Sequence, residues 1–299
     1  MSAWLAQYDG TEAGHHLALG LALMAAVLHA FFGALQKGRH DPWLSRAAID
    51  ASYAVIAAPF ALFVVPWPEA HMWPIFAGAF VIHAFYKWAQ AMSYERGAYT
   101  VVYPVVRGTA PLFAVIGASL FLAEPFTKGQ WLGLFCLSSG IFGLALYNWR
   151  TVTLGRDRLR PALLFALLTG LTVASYTTYD AWGIRATANP FTFIAWFFLI
   201  DGLAMPVYTF GRWRHLARDE IAPLARRGFI GAFAAFFSFG AILLATRIDT
   251  VGQAAVLRET SVVFAALIGW WMLGDRVGFR RFALMVLIAA GAVIVEMAG

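Results

Sequence analysis

VVYPVVRGTAPLFAVIGASLFLAEP (residues 101–125) recurs 151 residues later as GQAAVLRETSVVFAALIGWWMLGDR (252–276). At that offset Val105 falls on Val256, Arg107 on Arg258, Thr109 on Thr260, Phe113 on Phe264 and Leu122 on Leu273, while Glu124 meets Asp275. Outside the two stretches, Arg96 falls on Arg247 and Gly140 on Gly291. Apolar bias does not supply matched arginines and acids, so the similarity marks an internal repeat. Each copy sets one arginine inside an apolar run of about 20 residues, the helical length that crosses a hydrocarbon core of about 30 Å.

Ten such runs are read along the chain, at 17–36, 47–65, 73–93, 99–122, 128–148, 160–181, 190–210, 227–247, 251–272 and 279–297. The composition agrees: 61% of residues are hydrophobic and 13% charged, against about 25% charged in soluble domains. The sequence therefore predicts an all-α integral membrane protein with ten transmembrane helices. Five runs per copy is an odd number, so the second copy enters the membrane the other way up. The expected organisation is an N-terminal extramembrane segment (1–16), a first five-helix repeat (17–148), a cytoplasmic linker (149–159) and a second, inverted five-helix repeat (160–297). The first residues lack the basic n-region and cleavage site of a signal peptide, so the first run is expected to stay as a span. Pro161 and Pro190 are expected to open the sixth and seventh spans, where a missing N–H costs nothing.

Basic residues set the orientation. Sixteen of the 22 Lys and Arg residues lie in loops after the odd-numbered runs, and only Lys128, Arg185 and Arg247 lie on the other side. The positive-inside rule places the odd loops in the cytoplasm and both termini outside, as in a cytoplasmic (inner) membrane. The net charge of +6 is read as this topology signal and not as a nucleic-acid surface. The segment 212–227 is expected to lie along the cytoplasmic surface, with Leu216, Ile221 and Leu224 toward lipid. The single cysteine, Cys136, allows no intrachain disulfide. The sequence holds no H-E-x-x-H, no G-x-S-x-G, no phosphate-binding glycine loop and no clustered metal ligands, so neither a catalytic residue, a metal site nor a cofactor is expected.

Charged residues inside the spans carry the functional reading. Placing a charge at the bilayer centre costs roughly 2.5–3.5 kcal/mol on insertion scales, so such residues face a cavity or a partner. Five stand out: Lys87, Arg107, Asp201, Arg258 and Glu259. The inverted fourth and ninth helices bring Arg107 and Arg258 toward the midplane, where two planar cationic forks suit a carboxylate or phosphate-like oxyanion. The competing reading is a structural ion pair, Arg107 with Glu259 or Arg258 with Asp201. Three cations against two anions leave one surplus positive charge, which an anionic group on a cargo would balance. His83, Lys87 and Gln90 share one face of the third helix, and His29, Gly33 and Gln36 one face of the first. His29, His83, Lys87, Tyr103 and Trp196 are therefore candidate lining residues, with Tyr86, Tyr176 and Tyr179 further aromatic candidates. Glu259 and Asp201 are the candidate proton carriers. Asp180 is read as interfacial, and Glu124 and Asp275 as helix-turn acids. Pro104 and Pro111 free the carbonyls of Thr100 and Arg107, so a kink is expected near Arg107.

LAEPFTKGQWLGLFCLSSGIFGLAL (122–146) and LGDRVGFRRFALMVLIAAGAVIV (273–295), with YPVVRGTAPLF and LRETSVVFAALIGWWMLGD, resemble the EamA-type members of the drug/metabolite transporter superfamily over nearly the whole chain. The departures are Asp275, where the family's second half usually has Glu, and HAFFGALQK (29–37) in place of a frequent tryptophan-glycine pattern. The resemblance implies a secondary transporter, commonly an exporter of amino acids or other small metabolites, with a cavity between the repeats. Together the two lines lead to an expected proton- or gradient-driven exporter of a small carboxylate-bearing metabolite. A transporter of cationic drugs or amines, and then a lipid scramblase, are the alternatives. The expected partners are a small-molecule substrate, protons and the lipid bilayer, with no nucleic acid; a monomer and a homodimer are both compatible with the sequence.

Overall fold

A computed structural model describes residues 4–5, 7–36, 41–97, 99–151, 156–273 and 278–299. Asp275, Lys37 and Arg39 lie outside the described residues, and so does the side chain of Gln36. All regular structure among the described residues is helical. The long helices are α1 (Glu12–Gln36), α2 (Pro42–Phe63), α3 (Met72–Arg96), α4 (Tyr99–Phe121), α5 (Lys128–Thr151) and α6 (Arg156–Arg185). They are followed by α7 (Pro190–Asp201), the short α8 (Ala204–Tyr208) and α9 (Phe210–Trp213), then α10 (Arg218–Ile248). The chain ends with α11 (Val251–Arg258), α12 (Ser261–Leu273) and α13 (Phe279–Met297). Two starts follow directly from local sequence: Asp41 accepts from the Trp43 backbone N–H at 2.7 Å and Asn189 from that of Phe191 at 3.0 Å, each with proline as the next residue.

Seven stretches among the described residues are long and apolar enough to cross a membrane: Glu12–Phe32, Pro42–Phe63, Val101–Phe121, Lys128–Arg150, Leu159–Arg185, Pro190–Tyr208 and Arg218–Ile248. The other three expected runs are helical but interrupted by polarity or geometry. Helix α3 carries His83, Lys87, Gln90, Glu95 and Arg96; α13 carries Arg280, Arg281 and Glu296 within 19 residues; and 251–272 is divided between α11 and α12. Large apolar side chains such as Val55, Phe63, Leu120, Phe121, Leu164 and Val207 stand outward, a surface that calls for an apolar surrounding medium.

The helices pack across the repeat boundary. α1 packs on α10, and its counterpart α6 on α3; α5 packs on α13, and α4 on α11. Exchanging the halves maps each of these pairs onto another or onto itself, as a two-fold relation requires. His15 at the start of α1 reaches Asp249 Oδ2 at 2.6 Å, and Arg185 at the end of α6 donates to the Asp249 carbonyl at 2.8 Å. The start of α1 thus lies beside the end of α6, so these corresponding helices run in opposite directions.

Four details differ from the sequence reading. Pro161 lies inside α6, five residues past its start, and not at its opening. Helix α4 continues through Pro104 and Pro111, whereas the proline-free run 251–273 breaks at Glu259–Thr260. There the Thr260 hydroxyl donates to the Leu257 carbonyl at 2.6 Å, while the Glu259 and Thr260 backbone N–H groups bond three residues back, a local competition that diverts the α-helical ladder. The 190–208 run breaks at Gly202–Leu203, where Pro206 has no N–H for the Gly202 carbonyl. Finally, Leu224 does not face lipid: it is buried against Leu44 and Ala48 of α2, because α10 already begins at Arg218.

Candidate functional site

Charged side chains gather in the middle of the bundle, where the broken runs meet α2, α3, α4 and α6. Lys87 is fully buried, with Nζ 2.7 Å from Asp50 Oδ2 and 2.8 Å from Asp201 Oδ2. It also donates to the Tyr53 hydroxyl at 3.0 Å and to the backbone carbonyl of Asp201 at 2.8 Å. Asp201 is the last residue of α7, so the ammonium sits at a helix C-terminus, where the carbonyl ends favour a cation. Tyr53 donates to Asp201 Oδ2, and Arg46 Nε donates to Asp50 Oδ1 at 2.7 Å. His83 Nε2 lies 2.7 Å from Asp180 Oδ2.

A second group forms at the α11–α12 break. Arg107 donates through Nη1 to Glu259 Oε1 at 2.9 Å and through Nε to the Tyr103 hydroxyl at 3.2 Å. Arg258 Nε stands 3.8 Å from the same carboxylate oxygen, beyond hydrogen-bond range. Arg107 Nη2, Arg258 Nε and Glu259 Oε2 are buried without a hydrogen-bond partner among the described residues. The arginine pair is therefore asymmetric: Arg107 is engaged, and Arg258 is held beside an acid it does not grip.

Between the two groups lies a cavity of about 70 Å³. Arg258, Asp201, His29, His83 and Arg46 border it, and its remaining wall is largely aromatic, with Tyr53, Tyr86, Tyr176, Phe197 and Phe239. An engineered cavity of about 150 Å³ accommodates benzene and a water's share of liquid volume is about 30 Å³. A space this size holds about two waters.

The sequence-derived candidates thus divide. His29, His83, Arg258 and Asp201 border the cavity. Lys87 stands behind Asp201, and Arg107, Tyr103 and Glu259 form the adjoining pair. Trp196 sits apart, its ring 4.9 Å from that of Trp67 and 5.3 Å from that of Trp73. Asp180 is buried on His83, not interfacial. The expected Arg107–Glu259 pair is present, whereas Arg258 answers Glu259 and not Asp201.

Arg46 and Asp50 escaped the sequence reading; as one cation and one anion they leave its charge balance as it was, and it is the buried Asp180 that changes it. Four cations (Arg46, Lys87, Arg107, Arg258) face four anions (Asp50, Asp180, Asp201, Glu259), so with neutral histidines the described cluster carries no surplus charge. A signal for Asp50 was present, since it precedes Asp201 by the same 151 residues that separate Arg107 from Arg258.

Residues 14–146 and 160–297 each match the EamA-like transporter family. The chain belongs to that family. As an EamA-like transporter it is a multi-pass membrane protein of the drug/metabolite transporter superfamily, built from the two repeats whose packing is described above. Among solved structures, a protein known from a crystal structure superposes with a TM-score of 0.72 at 15% identity, covering 96% of this chain and 98% of that one; at this identity the likeness concerns the fold alone. No curated protein matches the sequence.

Proposed function

We propose that this EamA-like transporter is a secondary active exporter that moves a small carboxylate-bearing metabolite, amino acids being the leading class, across the cytoplasmic membrane. Ten spans in two inverted five-helix repeats (17–148 and 160–297), joined by a cytoplasmic linker at 149–159 and with both termini outside, alternate access to a site between the halves. The observation that carries this reading is Arg258: a buried guanidinium that borders the cavity and makes only a 3.8 Å approach to its nearest acid. A cargo carboxylate would give that fork the bidentate partner it lacks. Because the buried charges balance, a zwitterion fits better than a net anion, its ammonium toward the Asp201 oxygen that has no hydrogen-bond donor among the described residues. The small cavity supports a closed state, from which the halves must separate to admit cargo. In this reading Lys87, His83, His29 and Tyr103 shape the site, Arg107 holds Glu259 beside Arg258, and Asp201 or Glu259 carries protons.

A second reading, transport of cationic drugs or amines, is favoured by one observation: the open Asp201 oxygen borders a largely aromatic wall, a surrounding that attracts cations. A thermal-shift series on the detergent-purified protein separates the two. Ligand at a hundred times its Kd stabilises by about 2.7 kcal/mol, a shift of several degrees. Stabilisation by amino acids and organic acids that vanishes in Arg258→Ala is the expected result. Stabilisation by amines alone, surviving in Arg258→Ala, overturns carboxylate recognition and moves the site to the acids.

A further inference from the structure

His83 stands between two carboxylates, one at each ring nitrogen. Nε2 is 2.7 Å from Asp180 Oδ2 and Nδ1 is 3.9 Å from Asp201 Oδ1, and all three side chains are buried. The row continues from Asp201 Oδ2 through Lys87 to Asp50, and from Asp50 to Arg46. Asp180 precedes Arg185 at one end of α6 by five residues, about 8 Å of helix; Asp50 follows Pro42 at the opposite end of the bundle by eight, about 12 Å. The row therefore bridges the middle of the bundle, from about 8 Å short of one end to about 12 Å short of the other. Asp180 Oδ1 and Asp201 Oδ1 are buried without a hydrogen-bond partner among the described residues, leaving each acid an oxygen that can take up a proton.

Other titratable groups near His83 do not interrupt this row. On its own helix these are Tyr86 and Lys87, and α6 adds Tyr176, whose ring stacks 4.3 Å from the imidazole. Helix α2 contributes Arg46, Asp50 and Tyr53, all bound within the Lys87 group. His29 of α1 and Arg258 of α11 border the same cavity, and α10 presents Phe239 and Ser238. Glu259, by contrast, answers two arginines and has no histidine within bonding distance among the described residues.

We propose that Asp180, His83 and Asp201 form a proton path, and that this path, with Asp201 loading and unloading against Lys87, couples transport to a proton gradient in place of Glu259. The proposal rests on reading the chain as a gradient-driven transporter. A proton leaves Asp180 Oδ2 for His83 Nε2, and the imidazolium then gives its Nδ1 proton to Asp201 Oδ1, so one O–H bond breaks and one forms. The 3.9 Å gap closes by a small ring movement or through one bridging water. The ring is left protonated at Nε2, and rotation or reversal restores it. Once protonated, Asp201 no longer holds Lys87 by charge, and Lys87 answers Asp50 alone. Because Lys87 also holds the last carbonyl of α7, loading the acid changes the grip beside the break in the 190–208 run, which is where a rearrangement between access states can begin.

Infrared difference spectroscopy after a pH jump, on protein in liposomes without cargo, tests the path. A protonated-carboxyl band is expected on acidification, and its Asp201 component is absent in Asp201→Asn. In His83→Gln and in Asp180→Asn its midpoint moves by about one pH unit or more, and in His83→Gln it grows in at least about tenfold more slowly. Gly20→Ala, on α1 with nothing within 4 Å of the added Cβ, leaves both unchanged. Two independent variants report on the path, so poor folding of one leaves the other. A band that keeps its midpoint and rate in His83→Gln and Asp180→Asn, or that is lost in Glu259→Gln and not in Asp201→Asn, overturns the proposal. As no cargo is present, failure of carboxylate recognition at Arg258 does not alter this result, and the two readings fail separately.

Discussion

Lys87 shows how a single buried charge organises its neighbours. Burying an ammonium is tolerable here because two carboxylates, a phenol and a helix-end carbonyl surround it. Lys87→Met removes the cation between Asp50 and Asp201 and leaves Asp50 only Arg46 and Asp201 only the Tyr53 hydroxyl as a hydrogen-bond donor. Breaking a buried pair in this way costs about 3–5 kcal/mol, so a large fall in the thermal midpoint in detergent is expected. Adding Asp201→Asn to that variant should restore part of the loss; an unchanged midpoint in Lys87→Met would show that the cluster does not hold the fold. The two arginines should separate in the same assay. Arg107→Ala orphans Glu259 and is expected to destabilise by a similar amount, whereas Arg258→Ala, which breaks only a 3.8 Å approach, should melt close to the wild type. Much of this was legible at the residue level: each of the five charges singled out in the sequence is buried in the two groups. Asp50 and Arg46 were not singled out, because they lie in the first turns of α2, close to the loop that precedes it. The surplus-charge argument fell with Asp180, which is buried on His83 and not interfacial.

Between elements, small residues set the closest approaches. Gly140 and Gly291, matched by the repeat, both lie in the seam between α5 and α13. A Cβ on Gly291 would stand 2.6 Å from the Gly133 carbonyl oxygen, and one on Gly140 2.7 Å from Ile288 Cγ1. A backbone atom cannot yield as a side-chain end can, so Gly291→Val must push the helices apart, at a cost of about 1–3 kcal/mol or more. Gly20→Ala in α1 offers the contrast: nothing lies within 4 Å of its Cβ, and exchanging Gly for Ala inside a helix gains up to about 1 kcal/mol. Thermal midpoints should fall for the first and hold or rise for the second; equal behaviour would contradict the seam. The apolar runs that form these elements were legible from their length. The break at Glu259–Thr260 was not, because it follows from the Thr260 hydroxyl competing for a carbonyl and not from a proline.

Across the whole molecule, one end of the bundle is closed by a network joining both repeats. Arg185 pairs with Glu124 at 2.8 Å and donates to the carbonyls of Thr246 and Asp249, while Glu124 accepts from the Val251 backbone N–H at 2.7 Å. His15 reaches both Asp249 and Glu296, at 2.6 and 2.9 Å. The charge bias predicts this to be the outer end, and Glu124, read from sequence as a turn acid, ties the end of α4 to α6 and α11. In a Cys136→Ala background carrying Ser238→Cys at the cavity wall, a membrane-impermeant thiol reagent added outside is expected to label the Glu124→Ala variant several times faster than the same protein with Glu124 intact; equal rates would contradict a latch. The repeat, its inversion and the family could be read from the sequence, since they rest on periodic apolar length and matched residues. Of the buried pairs only Arg107 with Glu259 was named in advance; the partners of Lys87, His83 and Arg258 were not, since they depend on helix rotation.

The most direct test of Arg258 as the cargo-binding group is counterflow in proteoliposomes preloaded with unlabelled amino acids, measuring entry of the same amino acids in radiolabelled form. Uptake above protein-free liposomes that is lost in Arg258→Ala, with the variant's thermal midpoint retained, is the expected result. Uptake that persists undiminished in Arg258→Ala would contradict a cargo site at that guanidinium.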